Sequence, residues 1–274
     1  MIELNTDRFA GIECLHAYPA GKRHQALPTV LFYHGYSSSK EVYGYFAVAL
    51  AQAGYRAVLP DADMHGARFD GDDSRRLAHF WEILRSNIDE LPQIERALRQ
   101  HKLVEGDRLA VAGASMGGMT ALGALARYPQ LHSCACMMGS GYYSQLASTL
   151  FPPLMSGSGE HEKPLAQRLA PLADYDVSQR LANIANRPLL VWHGDADEVV
   201  PVAESVRLEQ ALRHSGQDRN LTYLIEEGTG HRITPPALAA FTAFFERHLP
   251  LSDDEETRSA LAQSCHEGGK KCRL

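Results

Sequence analysis

A serine flanked by glycines, Gly113-Ala114-Ser115-Met116-Gly117, stands where an apolar run gives way to a run of small residues. A serine hydroxyl attacks a carbonyl at neutral pH only if a general base takes its proton and a third group fixes the tautomer of that base. The chain offers both partners further on. His231 lies in Gly228-Thr229-Gly230-His231-Arg232-Ile233, and two acids lie in His193-Gly194-Asp195-Ala196-Asp197-Glu198-Val199-Val200-Pro201. These types, in the order serine, acid, histidine, suit nucleophilic acyl transfer, with Ser115 as nucleophile and His231 as base. Position rather than type singles out His231 among thirteen histidines, and spacing alone leaves Asp195 and Asp197 both eligible as the acid. The oxyanion formed on attack needs preorganised N–H donors, and the residue after the nucleophile, Met116, supplies one.

Chemistry of this kind requires the three groups to arrive at one place from separate elements. Leu109–Ala112 reads as a buried strand and Met116–Arg127 as a helix that stops at Tyr128-Pro129. The sharp reversal between them crowds the backbone around Ser115, which explains glycine two residues to either side. Further apolar runs at Val30–Tyr33, Ala57–Leu59, Cys134–Met138, Leu189–Trp192 and Leu221–Ile225 alternate with helical segments. Their continuous apolarity predicts a mostly parallel sheet with helices on both faces. Gly11–Tyr18 alternates in part and predicts an antiparallel edge strand. A helical stripe from Leu77 through Trp81 and Ile88 to Leu98 is expected to break at Pro92. Val202–Arg213 and Pro236–His248 predict the last two helices.

One interval, about 140–185, interrupts the alternation with short helical pieces and reads as a lid insertion at a strand end, where ligands of open α/β sheets bind. Its Tyr142, Tyr143, Phe151 and Leu154 are candidates to line an acyl or alkyl pocket. Residues 1–249 are thus expected to form one α/β domain, and 250–274, with Ser252-Asp253-Asp254-Glu255-Glu256 and Gly268-Gly269-Lys270-Lys271, a disordered tail.

Composition narrows the partners. A formal charge of −6 provides no basic footprint for nucleic acid or an anionic membrane, and no apolar run has membrane-spanning length. The N-terminus carries no secretion-signal pattern, and the five cysteines have no framework spacing, so a cytoplasmic protein is expected. No cofactor is called for. Neither Cys265, His266 and Cys272 nor Asp61, Asp63 and His65 makes a convincing metal site, and none is expected. Oligomeric state is not readable at this level.

The glycine-flanked serine on a strand-to-helix turn, followed by an acid and a histidine after later strands, resembles the α/β-hydrolase superfamily across about Gly11–Leu249. The resemblance implies that fold, and it favours Asp197, three residues before Val200-Pro201, over Asp195 as the triad acid. It also implies the backbone N–H of Tyr36, in Tyr33-His34-Gly35-Tyr36, as the second oxyanion donor, with His34 structural. Asp61-Ala62-Asp63-Met64-His65-Gly66 resembles a segment common in the superfamily and reads as scaffold at the rim. Within it, Gly113–Gly123, Met137–Tyr142, Phe151-Pro152-Pro153-Leu154 and His231–Pro235 resemble the bacterial YjfP-type carboxylesterases. That implies a serine esterase acting on small short-chain acyl esters through an acyl-enzyme. A thioesterase or a small serine peptidase would use the same triad, and a ligand-binding protein of the same fold would not need it intact.

Overall fold

The computed structural model describes residues 1–149 and 165–252. Strands without a polar alternate must be covered on both faces, and here all but the last of them lie in the interior of one sheet. β3 (Leu27–Tyr33), β4 (Arg56–Pro60), β5 (Val104–Ala114), β6 (Cys134–Met137), β7 (Leu189–Gly194) and β8 (Leu221–Glu226) follow a hairpin of β1 (Ile2–Phe9) and β2 (Ile12–Pro19). The spatial order is β1-β2-β4-β3-β5-β6-β7-β8. β2 is antiparallel to β1 and β4, and every other neighbouring pair is parallel.

Successive side chains enter opposite cores, as the pleat requires. Leu31, Tyr33, Leu109 and Val111 face α3 (Phe80–Gln100), α4 (Met116–Arg127) and α8 (Ala203–His214). Val30, Phe32, Ala110 and Ala112 face α1 (Gly44–Gln52) and α9 (Pro235–His248). Alanines on the second face of β5 leave room for Phe241 and Phe245 of α9, both fully buried. Between β6 and β7 the described chain forms α5 (Tyr143–Leu146), α6 (Leu165–Leu169) and α7 (Leu181–Ala185). Residues 150–164 of the expected lid and 253–274 of the expected tail lie outside the described residues. Among the described residues, no helix is long and apolar enough to cross a membrane.

Two expectations are corrected. Gly11–Tyr18 is not the edge, because β1 pairs outside β2 through the two-residue turn Ala10-Gly11, whose φ values of 53° and 80° suit a type I′ hairpin. The alternation Ile2-Glu3-Leu4-Asn5 ahead of that glycine was the available signal, though only Phe9 of β1 is buried. Nor does the long stripe break at Pro92. The break falls at His79, after α2 (Asp73–Ala78), and α3 runs on through Pro92. Proline offers no N–H to the carbonyl four residues back, that of Ile88. The Tyr128 hydroxyl donates to that carbonyl instead, at 2.9 Å.

The Tyr128 hydroxyl therefore replaces a missing helix bond. Tyr128→Phe is expected to destabilise the fold by about 1–2 kcal/mol, read as a lower urea midpoint at unchanged slope. An unaltered midpoint would mean that the Ile88 carbonyl finds another donor.

Candidate active site

Ser115 follows β5 and precedes α4 with φ 57° and ψ −121°, a conformation unfavourable for any residue with a Cβ. What imposes it is contact between backbones. A Cβ on Gly113 would lie 2.2 Å from the Gly117 carbonyl oxygen, and one on Gly117 would lie 1.8 Å from that of Tyr33. The first turn of α4 is thereby seated on the carboxyl end of β3, and neither glycine tolerates a side chain. Ser115 N–H donates to the Met137 carbonyl at 2.9 Å, which ties the turn to β6 as well.

The acid and the base come from the next two strand ends. β7 delivers Asp197 and β8 is followed by the loop carrying His231, and the two segments are pressed together. A Cβ on Gly194 would come within 2.1 Å of the Thr229 carbonyl oxygen, and Ala196 N–H donates to that same oxygen at 3.0 Å. The Glu226 carboxylate accepts from the hydroxyls of Thr229 and Thr234 at 3.2 and 2.8 Å, and Thr234 in turn caps α9 through Ala237 N–H at 3.1 Å. Held in this way, His231 Nδ1 lies 2.7 Å from Asp197 Oδ2 and its Nε2 2.8 Å from Ser115 Oγ. A carboxylate only accepts, so Nδ1 carries the proton and Nε2 accepts from the serine hydroxyl. Asp195 sits elsewhere: its Oδ1 accepts from Gly228 N–H at 2.7 Å.

The Asp197 carboxylate is fully enclosed, and a buried charge requires donors on every lone pair it can offer. Oδ1 takes the N–H groups of Val199 and Val200 at 2.8 and 2.9 Å. Oδ2 takes His231 and, at 3.2 Å, Nε2 of a second histidine, His193. That Nε2 also faces the Val200 carbonyl at 2.8 Å, so it bears hydrogen, while Nδ1 meets the Ser205 hydroxyl at 2.7 Å. Burial lowers the pKa of His193, keeping it a neutral donor. The sequence reading gave His193 and Ser205 no role. Only the position of His193 at the end of the strand that delivers the acid hinted at one.

Tyr36 follows the turn after β3. A Cβ on Gly35 would lie 3.5 Å from Ser115 Cβ, so the turn before Tyr36 approaches the serine, while Met116 opens α4 beside Ser115. A helix N-terminus favours negative charge. Two buried histidines hold this turn. His34 donates from Nδ1 to the Gly35 carbonyl at 2.8 Å and accepts Ala62 N–H at 3.0 Å. His65 donates from Nδ1 to the Asp63 carbonyl at 2.7 Å and accepts Ser37 N–H at 3.0 Å. Burial drives both pKa values down, that of His65 to about 4, so both are neutral acceptors. Asp61 is committed to Lys40 Nζ at 2.6 Å and to the N–H groups of Lys40 and Ala67 at 3.0 and 2.9 Å. Among the described residues no cluster of three or more metal-ligating side chains occurs.

Of the expected pocket residues, Tyr142 is 4% exposed under the Arg207 guanidinium, 3.8 Å from its ring centre. Tyr143 is fully buried and donates to the Met119 carbonyl of α4 at 2.6 Å. Phe151 and Leu154 lie outside the described residues.

The chain is similar to known proteins over most of its length. The chain is 49% identical over 249 residues to esterase YjfP of Escherichia coli K12, covering 91% of this chain and 100% of that one. Among solved structures, TT1662 of Thermus thermophilus superposes with a TM-score of 0.72 at 24% identity, over 91% of this chain and 99% of that one. A puromycin-hydrolysing peptidase of Mycobacterium tuberculosis superposes with a TM-score of 0.70 at 20% identity, over 90% of this chain but 39% of the peptidase. Residues 46–251 match the model of the prolyl oligopeptidase family. The chain belongs to the prolyl oligopeptidase family, within the α/β-hydrolase superfamily.

Proposed function

We propose that the protein is a serine carboxylesterase that hydrolyses short-chain acyl esters through the triad Ser115, His231 and Asp197. The observation that carries this reading is the unbroken hydrogen-bond line from Ser115 Oγ through His231 to Asp197, at 2.8 and 2.7 Å. His231 Nε2 takes the proton of Ser115 as Oγ attacks the ester carbonyl. Asp197 stabilises the imidazolium that results, and the N–H groups of Met116 and Tyr36 receive the oxyanion. His231 then returns the proton to the leaving alkoxide, and an acyl-enzyme remains. Water, activated by the same histidine, attacks the acyl carbonyl and regenerates Ser115.

In this reading the described part of the segment between β6 and β7 covers the acyl side of the site, held to the body by the buried Tyr142 and Tyr143. In support, α6 reaches across to α3, where Arg168 Nε meets Glu82 Oε1 at 2.9 Å. A peptidase is the second reading, favoured by the name of the matching family. Parallel assays of p-nitrophenyl esters and aminoacyl anilides separate the two, and the ester is expected to be turned over faster.

Ser115→Ala is expected to reduce turnover of p-nitrophenyl acetate by about 10⁴-fold or more and to abolish labelling by a fluorophosphonate. Retained activity in a folded variant overturns the assignment. Asp197→Asn presents the wrong hydrogen-bonding group to His231 Nδ1 and is expected to cost about 10³–10⁴ in kcat. Asp195→Asn, which alters only the contact with Gly228, is expected to stay within about tenfold of the parent. The reverse ranking would make Asp195 the acid.

The histidines that hold the oxyanion turn make acid stability a second test. Unfolded, His65 takes up its proton near ~6.5, whereas in the folded chain it does so near about 4. Between those values the unfolded state binds more protons, so stability falls as the pH falls. His16, also held near about 4 by burial, acts with the same sign. The urea midpoint is expected to drop from about pH 7 to about pH 5, and less steeply in His65→Gln. An equal slope in that variant would contradict the role given to His65.

A further inference from the structure

The tyrosine that opens α1 has no part in the mechanism above, yet its hydroxyl stands beside the nucleophile. Tyr43 immediately precedes Gly44–Gln52, and its ring meets those of Phe32 and Tyr45, with centroids 5.8 and 6.0 Å away. The phenol end reaches the turn after β3. A Cβ on Gly35 would lie 2.8 Å from Tyr43 Oη and 3.5 Å from Ser115 Cβ, so one point beside Gly35 is within contact of both side chains. Burial raises the pKa of Tyr43, and a bond from the Gly35 backbone pulls it the other way. A bond that favours the phenolate comes from a donor, so the Gly35 N–H donates and Oη accepts. The hydroxyl hydrogen is then left to be given elsewhere. Among the described residues no oxygen of the protein takes it.

The sheet divides the space around Ser115 into two sides. Tyr142, Tyr143 and Leu146, from the segment between β6 and β7, pack into the core on the α3 and α4 face. Tyr43 packs against the opposite core, as does Ile233, two residues after His231. A base that has taken the serine proton hands it to the departing oxygen, so that oxygen must lie toward His231. A hydroxyl on the same side of the sheet as the loop of His231, in contact with the same point as Ser115 Cβ, meets the leaving oxygen rather than the acyl chain.

We propose that Tyr43 is a further catalytic residue, whose hydroxyl donates a hydrogen bond to the leaving oxygen of the ester; the inference rests on the esterase reading above. As Ser115 Oγ bonds to the carbonyl carbon and the bond to the alkoxy oxygen breaks, the electron pair of that bond passes to the leaving oxygen. His231 Nε2 supplies the proton, and Tyr43 keeps its own. The Tyr43 bond strengthens as charge develops on the oxygen, which is where a donor lowers the barrier. An alkoxide concentrates that charge on oxygen, whereas p-nitrophenolate spreads it over the ring and needs little help. Ethyl acetate and p-nitrophenyl acetate therefore separate this role from mere bracing of the Gly35 turn, since both give the same acyl-enzyme and kcat/KM reads the steps that lead to it. Tyr43→Phe keeps the ring, and its urea midpoint reports whether the fold is intact. It is expected to lower kcat/KM about 30-fold or more for ethyl acetate but only about 2–5-fold for p-nitrophenyl acetate. Equal losses on the two esters, or an undiminished rate on ethyl acetate, overturn the role given to Tyr43 and leave the esterase reading standing. A parent protein that turns over neither ester overturns both.

Discussion

The geometry around Ser115 rests on the approach of the first turn of α4 to the carboxyl end of β3, where Gly117 lies so close to the Tyr33 carbonyl that a methyl group could not intervene. That contact forces the reversal after β5. It brings the serine, at the start of α4, beside the turn carrying Tyr36. Remote packing serves this contact. The alanine face of β5 admits the α9 phenylalanines, and Tyr143 and Asn87 approach α4 through the Met119 carbonyl and the Thr120 hydroxyl, at 2.6 and 3.4 Å.

The other half of the site depends on burying one carboxylate well. Asp197 is removed from water, and its charge is sustained by two backbone N–H groups and two histidines of different character. His193 is neutral and fixed from behind by Ser205, whereas His231 meets the serine hydroxyl with its other nitrogen. The same residue type therefore stands in two settings, buttress and proposed base, and what distinguishes them is whether both ring nitrogens are committed to the scaffold. His34 and His65 follow the first pattern, which separates them from His231 despite their nearness to the nucleophile.

Much of this was legible in the residues. The parallel strands announced themselves by continuous apolarity, and Gly113 and Gly117 by the need for close backbone approach. Ser115, an acid and His231 were recognisable from their order. Less legible were features set by partners distant in sequence. Pro92 reads as a helix break until Tyr128 supplies the missing donor from α4's far end. β1 buries one residue of its length and left little apolar signal. Spacing alone left Asp195 and Asp197 both eligible, and the resemblance that favoured Asp197 did not reveal the seating of Gly194 against Thr229, a contact between two loops that no local pattern encodes.

The unfavourable dihedral angles at Ser115 have a further consequence. Glycine would adopt φ 57°, ψ −121° without the Cβ penalty, typically about 1–3 kcal/mol at such sites. At this position the residue best suited to the backbone and the residue the proposed chemistry needs are different. A chain selected only for thermal endurance would gain from glycine there, so serine at this position carries a cost to the fold that the proposed chemistry would account for.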